Sequence, residues 1–246
     1  MDKTSVVGGL QGLFRLDGNV WKKLDDRPVK DIAATEGQVW ILYGDGSVDK
    51  IDTKTGRVYF DVLAAAAKRP WTSSLAVSGE KVLFGGHGGW VTKSTSGFTE
   101  RYPTDISGDV VTCLAPTSSG VMVGTQKHGL YAVSAKKLMH FGFAKGLPDT
   151  WVTSMVATTG GAFAVGLAEA GVVELRKGRL RKLECPITRV RKVLMFRGRL
   201  VVGGMDGVVI QSASDWERLT DEECTCLTQT DGKLIVGTPG KTFLFR

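Results

Sequence analysis

Seven hydrophobic segments, each closed by a glycine, recur along the chain at nearly equal intervals. The closing glycines stand at positions 8, 44, 85, 124, 166, 203 and 237, which are 36, 41, 39, 42, 37 and 34 residues apart. A period of about 40 residues indicates a repeated supersecondary unit, because one such unit cannot bury its hydrophobic residues alone. The chain of 246 residues therefore has room for six or seven copies of one unit.

Each unit contains four short, strand-like segments. A second alternating segment follows each glycine-closed segment, as at 130–133, a third follows that one, as at 138–141, and a fourth precedes the glycine segment, as at 111–115. The short linkers carry glycine, as tight hairpins with positive φ require. Four antiparallel strands in about 40 residues are typical of a β-propeller blade. Helical periodicity between strands is lacking, and the one candidate helix is the alanine-rich segment 63–68.

The strand count favours a ring of seven blades. Counting outward from the axis, we find six first, seven second, seven third and six fourth strands, which makes 26. We predict an all-β, single-domain propeller over 1–246 with four-stranded antiparallel blades, seven favoured and six the alternative. With seven blades, the first lacks its inner strand and the last its outer strand. The open edge of the first blade is then a place where a partner segment or a second copy can add itself.

One stretch resembles a known propeller repeat. Residues 146–175 read GLPDTWVTSMVATTGGAFAVGLAEAGVVEL and resemble the repeat of the regulator propellers of two-component sensors. The matching positions are Gly146, Leu147, Pro148, Val152, Met155, Gly166, Gly171 and Val172. Weaker similarity links SASDW at 212–216 to the Asp-box of sialidase-like propellers and the Gly-Gly pairs to kelch repeats, whereas the Trp-Asp signature of WD40 blades is absent. The resemblance implies a propeller over nearly the whole chain, and no sensor role is carried over with it.

The composition of the chain limits the cellular compartment and the metal or cofactor sites that we expect. The N-terminus has no apolar run typical of a signal peptide, and no window reaches the roughly 18 apolar residues of a membrane span. We therefore expect a cytoplasmic protein without membrane insertion. The four cysteines form no CxxC pair and have no histidines at zinc spacing, so we expect reduced thiols, no metal site and no cofactor.

A basic cluster is the most pronounced charge feature. Ten cations lie within 176–199, opposed inside that segment only by Glu184. They are Arg176, Lys177, Arg179, Arg181, Lys182, Arg189, Arg191, Lys192, Arg197 and Arg199. Such a cluster attracts phosphate or an acidic protein surface, and we expect the hairpin cations Lys177, Arg179, Arg197 and Arg199 to share one face.

Two tryptophans add to the predicted contact residues. Trp71 and Trp151 each lead an inner strand from a loop, which favours exposed contacts. The predicted partner-binding set is Arg179, Arg181, Lys182, Arg191, Arg197, Arg199, Trp71 and Trp151.

Patterns typical of catalysis are missing from the sequence. It contains no GxSxG elbow, P-loop or HExxH motif, and the hairpin acids Asp45, Glu169 and Asp206 are scattered. His87 and His128 occupy hairpins and are expected to be solvated rather than metal-bound. We predict a non-enzymatic interaction scaffold with a protein partner. The alternatives are a propeller enzyme of the lactonase or sialidase type, and nucleic-acid or other polyanion binding through residues 176–199.

Overall fold

A computed structural model shows seven antiparallel sheets built from 26 strands. It describes residues 5–17, 20–35, 37–62, 71–79, 81–95, 98–101, 106, 108–134, 137–213, 215–230 and 232–246. The predicted helix at 63–68 lies outside the described residues. Among the described residues, no helix has the length and apolar character needed to cross a membrane.

The first three sheets hold eleven strands. Sheet one comprises β1 (Ser5–Gly9), β2 (Gly12–Asp17) and β3 (Val20–Asp25). Sheet two comprises β4 (Val29–Thr35), β5 (Gln38–Tyr43), β6 (Val48–Asp52) and β7 (Val58–Tyr59). Sheet three comprises β8 (Thr72–Ser78), β9 (Lys81–Gly86), β10 (Val91–Thr95) and β11 (Phe98–Arg101).

The remaining four sheets hold fifteen strands. Sheet four comprises β12 (Val111–Pro116), β13 (Gly120–Thr125), β14 (Leu130–Ser134) and β15 (Leu138–Phe141). Sheet five comprises β16 (Val152–Ala157), β17 (Phe163–Leu167), β18 (Gly171–Arg176) and β19 (Arg179–Lys182). Sheet six comprises β20 (Val190–Phe196), β21 (Arg199–Gly204), β22 (Gly207–Gln211) and β23 (Trp216–Thr220), and sheet seven comprises β24 (Cys226–Thr230), β25 (Lys233–Gly237) and β26 (Thr242–Phe245). Two short 3-10 turns, Phe143–Lys145 and Thr159–Gly161, complete the elements.

The sheets are the blades of a seven-bladed β-propeller, which confirms the predicted fold class and the favoured blade number. Five blades have four strands in sequence order, while the first and the last have three each. Among the described residues β1 pairs only with β2, so the inner edge of blade one is open as predicted. The chain divides into two compact units, Met1–Val121 with Val133–Lys136, and Met122–Ala132 with Lys137–Arg246.

Close packing between neighbouring blades explains why a glycine closes the second strand of each sequence repeat. In the second compact unit, a Cβ at Gly166 would lie 2.5 Å from a methyl carbon of Val190 in the next blade. Val190 belongs to a buried cluster with Val172, Leu200 and Val202, and Trp216 packs against this cluster. Trp216 therefore contributes to the packing between blades five and six.

Two tight hairpins in the second unit carry cations at their tips. Lys177–Gly178 joins β18 to β19, and Arg197–Gly198 joins β20 to β21. All four residues have positive φ, between 49° and 77°. Two consecutive positive φ angles are the requirement of a two-residue turn that matches the twist of the strands. The turn geometry therefore holds Lys177 and Arg197 outward at the ends of their strands.

A β-bulge recurs at the start of inner strands. The register shifts between Val29 and Asp31 in β4, and the same shift occurs at the start of β8, β16 and β20. A bulge leaves one residue outside the ladder and re-aims the neighbouring side chains. Each bulge therefore presents a pair of adjacent side chains at the beginning of its blade.

Candidate functional site

In the first unit, the bulge residues of β4 bind the next blade. Lys30 Nζ donates to the backbone oxygen of Thr72 over 3.0 Å. The carboxylate of Asp31 accepts a hydrogen bond from the backbone nitrogen of Leu75 over 2.8 Å. Both partners lie in β8, so this bulge pair connects one inner strand to the next.

In the second unit, one residue of the bulge pair of β16 bonds within its own blade and the other connects to the next blade. Thr153 Oγ1 donates to the backbone oxygen of Gly166 over 3.1 Å. Ser154 is buried, and its hydroxyl accepts a hydrogen bond from the backbone nitrogen of Val193 in β20 over 3.2 Å. The second bulge position thus holds an acceptor, as it does at Asp31.

The bulge pair of β20 differs from those of β4 and β16 because it consists of two exposed cations, Arg191 and Lys192. A lysine ammonium only donates hydrogen bonds, so Lys192 cannot accept a backbone N–H as Ser154 does. Arg191 forms an ion pair with Glu223 at 2.5 Å. Among the described residues Lys192 has no ion pair.

Both cations line a cleft of about 390 Å³ within the second unit. The residues of this cleft that carry charge or exposed apolar surface are Trp151, Glu169, Arg189, Arg191, Lys192 and Met205. We call it the Trp151 cleft. Trp151 is 45% exposed and Met205 is 43% exposed, so its walls offer uncovered apolar surface.

The loops around the Trp151 cleft are fixed by carboxylates. Asp149 accepts hydrogen bonds from the backbone nitrogens of Trp151 and Glu169, both over 2.9 Å. Arg189 donates to Asp206, and this hydrogen bond together with the arginine charge lowers the pKa of the Asp206 carboxyl. The same contact raises the pKa of Arg189, so both groups are charged at neutral pH.

One cation of the Trp151 cleft is without an ion pair to a described residue, although the carboxylate of Glu169 lines the same cleft. Arg189 is paired with Asp206 and Arg191 with Glu223, whereas Lys192 has no such partner among the described residues. Each arginine presents five N–H donors in a fixed fork, and one carboxylate does not use them all. The arrangement can therefore bind a ligand that combines an apolar group with a hydrogen-bond acceptor or an anion.

The structure divides the basic cluster 176–199 into separate groups. Arg191 is the second residue of β20 and Arg197 follows its last residue, a separation of about 20 Å at the rise of a strand per residue. Glu184 is the only acid inside the segment, but the fold also brings carboxylates from outside the segment to these cations. Glu174 pairs with Arg176 and Arg181, Asp206 with Arg189, Glu223 with Arg191, and Glu217 with Arg199.

The other predicted contact residues lie outside the Trp151 cleft. Lys177, Arg179 and Lys182 are exposed and form no ion pair with a described residue, and Arg197 donates to the backbone oxygen of Gly232 over 2.6 Å. Trp71 belongs to the first unit, where it is 65% exposed and its ring centroid lies 5.8 Å from that of His87.

Of the predicted partner-binding set, the cleft thus brings together Trp151 and Arg191. The prediction left out Met205 and Lys192. Met205 could have been found as an apolar residue at the tip of a hairpin, directly after Gly203 and Gly204.

A second cluster of charges, in the first unit, is fully engaged. Arg27 pairs with Asp25 at 2.8 Å and with the buried Asp49 at 2.6 Å. It also donates to Ser47 Oγ over 2.9 Å, and its guanidinium lies 3.7 Å from the ring centroid of Tyr43. Hydrogen bonds from Arg27 lower the pKa of Asp25, while burial raises the pKa of Tyr43. These groups satisfy one another, which indicates a structural role.

A second cavity of the second unit, of about 490 Å³, offers less chemistry. Its lining includes Glu184, Cys185, Trp216 and Arg218. Burial raises the pKa of the Cys185 thiol to about 11, so the group is a poor nucleophile at neutral pH. Arg218 is engaged with Asp221.

All four cysteines of the chain are free thiols, as expected. The described residues contain no group of three or more His, Cys, Asp or Glu side chains that could hold a metal ion.

The fold and the Trp151 cleft define a seven-bladed β-propeller with a ligand-sized depression in its second unit. No protein-family model and no curated protein matches the sequence. Among solved structures, the chain is similar to the extracellular domain of a hybrid two-component system from B. thetaiotaomicron, with a TM-score of 0.75 and 13% identity. That match covers 99% of this chain and 36% of the other, so the chain spans about a third of the length of that extracellular domain.

Two further structures have the same fold. The computationally designed Ika8 protein matches with a TM-score of 0.68 and 16% identity, over 99% of this chain and 80% of the other. The structure of YCF48 bound to D1 peptide matches with a TM-score of 0.65 and 10% identity, over 100% of this chain and 82% of the other. At these identities the likeness shows the fold, and it confirms the propeller that the repeat resemblance implies.

Proposed function

We propose that the chain is a non-catalytic binding module that receives a short segment of a protein partner in the Trp151 cleft. The observation that carries this proposal is the exposed pair Trp151 and Met205 beside Arg191 and Lys192. Aromatic residues and arginines are enriched among the side chains that dominate binding energy at protein interfaces. An apolar wall next to hydrogen-bond donors suits a polypeptide, which offers both kinds of group.

The size of the cleft favours a peptide segment over a large folded surface. About 390 Å³ lies in the range of ligand pockets and accommodates a few side chains. The YCF48 structure, which has this fold, was determined with a bound peptide. Peptide binding by that propeller supports the same mode of recognition here.

The state of the hairpin acids supports a non-catalytic role over the lactonase or sialidase type. Asp206 is held by Arg189, and its lowered pKa keeps it ionised at neutral pH. Burial tends to raise the pKa of Asp45, but hydrogen bonds from Ser47 outweigh burial, so that the pKa is lowered. General acids need a pKa near the operating pH, which these two carboxyls lack.

We also propose that the protein works in the cytoplasm. The four free thiols support a reducing compartment. Fractionation of cells that express the untagged chain tests this directly, and recovery outside the cytoplasm would contradict it.

Selection of peptides from a displayed random library on the full chain tests the binding function. We expect the selected peptides to bind Trp151→Ala at least about tenfold more weakly, because truncation of a hot-spot aromatic costs about 2 kcal/mol or more. Trp71→Ala is the matched control, since Trp71 is also exposed but lies in the other unit. Failure to select any peptide, or equal affinities for the two variants, would refute the proposal.

A further inference from the structure

We propose that the Trp151 cleft selects a peptide in which one carboxylate adjoins an apolar side chain, and that Lys192 is the residue that recognises the carboxylate. This inference rests on the proposed function, because it names the chemistry of the segment that the cleft receives. It commits the cleft to an acidic peptide, on the grounds of charge complementarity at named positions.

Lys192 forms no structural hydrogen bond or ion pair with a described residue that would explain why a lysine occupies this position. At the equivalent bulge position of β4, Asp31 accepts the backbone N–H of Leu75, and in β16 Ser154 accepts that of Val193. Lys192 cannot do so, since an ammonium has no acceptor. The side chain is exposed, and it has no ion pair with a described residue.

Neighbouring groups place Lys192 beside a prepared donor surface. Arg191, the preceding bulge residue, is held by Glu223 at 2.5 Å, and Arg189 is held by Asp206. These ion pairs orient both guanidinium groups, whose remaining N–H donors can share an incoming carboxylate with Lys192. Trp151 and Met205 supply the apolar wall on which the adjoining side chain of the peptide would pack.

Carboxylates of the cleft limit the number of acids in the peptide. Glu169 lines the same cleft, and its backbone is fixed by the carboxylate of Asp149. Like charges at close range are unfavourable, so a run of several acids would be repelled by these two residues. The same carboxylates, with those of Asp206 and Glu223, oppose the closely spaced phosphates of a nucleic acid. One carboxylate beside an apolar residue is the ligand that fits.

The experiment uses peptides selected on the full chain, each compared with its Asp→Asn or Glu→Gln counterpart. We expect the neutral counterpart to bind about tenfold more weakly, which is the scale of a lost charge-assisted hydrogen bond. Lys192→Glu should weaken the acidic peptide by at least as much and should favour a counterpart with lysine in place of the acid. Lys192→Met should weaken binding of the acidic peptide and should reduce, relative to the wild type, the preference for that peptide over its neutral counterpart.

Lys182→Glu is the matched control, because it makes the same charge change at an exposed residue of the same unit that has no ion pair with a described residue. Circular dichroism and urea unfolding verify that each variant folds. The inference about Lys192 is overturned if the selected peptides lack acids. It is also overturned if Lys192→Glu and Lys182→Glu bind the peptides equally while Trp151→Ala binds them weakly. In either case the proposed binding function stands. If Trp151→Ala binds as the wild type does, both fail. Tight binding of a single-stranded oligonucleotide that Lys192→Glu abolishes, without binding of the acidic peptides, would also overturn it.

Discussion

Replacement of Arg27 by methionine should destabilise the first unit by about 3 kcal/mol, because it leaves a buried carboxylate without its cation. Asp49 is 1% exposed and lies 2.6 Å from the Arg27 guanidinium. Breaking a buried pair by removing one partner costs about 3–5 kcal/mol. We take the lower end, since Arg27 is itself 34% exposed and water moderates the loss. Methionine keeps an unbranched apolar chain against Tyr43, so the variant isolates the loss of charge and donors.

Urea unfolding followed by circular dichroism measures the loss. At a slope of about 3 kcal/mol per molar urea, the midpoint should fall by about 1 M. Adding Asp49→Asn to Arg27→Met should recover part of that shift, because a buried amide costs less than an unpaired carboxylate, and its oxygen can still accept the backbone N–H of Asp61. Lys22→Met, which removes an exposed ion pair with Asp17, should leave the midpoint unchanged. A double variant less stable than Arg27→Met would refute this reasoning.

Three further outcomes follow from packing and protonation. Gly166→Ala should cost about 1–3 kcal/mol in urea unfolding, because its Cβ would overlap a valine of the next blade, whereas Gly240→Ala, whose Cβ meets nothing within 4 Å, should be tolerated. Burial raises the pKa of Cys224 to about 12, so mass spectrometry should find it unalkylated by iodoacetamide at about pH 8 until urea unfolds the chain; rapid native labelling would contradict its burial. Arg27 lowers the pKa of Asp25 in the folded state. The stabilisation from their pairing is therefore complete above the unfolded pKa of about 4 and is lost as the pH falls through the lower folded pKa. Between about pH 5 and pH 2, the free energy of unfolding should fall more in the wild type than in Asp25→Asn.

The regular part of the fold could be read from the sequence because hairpin chemistry is local. Alternation of side chains and glycine at positive φ depend on a few neighbouring residues, so the number of strands, their order within each blade and the three-stranded first and last blades were predicted correctly. The bulges were not predicted. They arise where an inner strand has one residue more than its partner, as where Arg191 lies between Val190, which is opposite Gly204, and Lys192, which is opposite Gly203; that mismatch exists only in the pairing.

The candidate site was harder to predict from the sequence, because the charges that surround a residue in the fold are not those that surround it in the sequence. The segment 176–199 is basic when read alone, but folding brings Glu174 to two of its arginines and Glu223 to a third. Trp151 was found because it leads an inner strand. Lys192 stands out only when its contacts are compared with those of Ser154, its counterpart one blade earlier, which requires the register of both strands.

Because inner strands begin with a bulge, a residue at that position can be exchanged in one blade independently of the other blades. A bulge residue stands outside the ladder of paired residues, so an exchange there alters what a blade presents to a ligand while the paired residues behind it keep their partners. Arg191 on β20, where β16 has Thr153, illustrates such an exchange within one molecule. A new specificity could therefore be installed at the unpaired bulge residue of one blade, while the paired residues of that strand keep their partners.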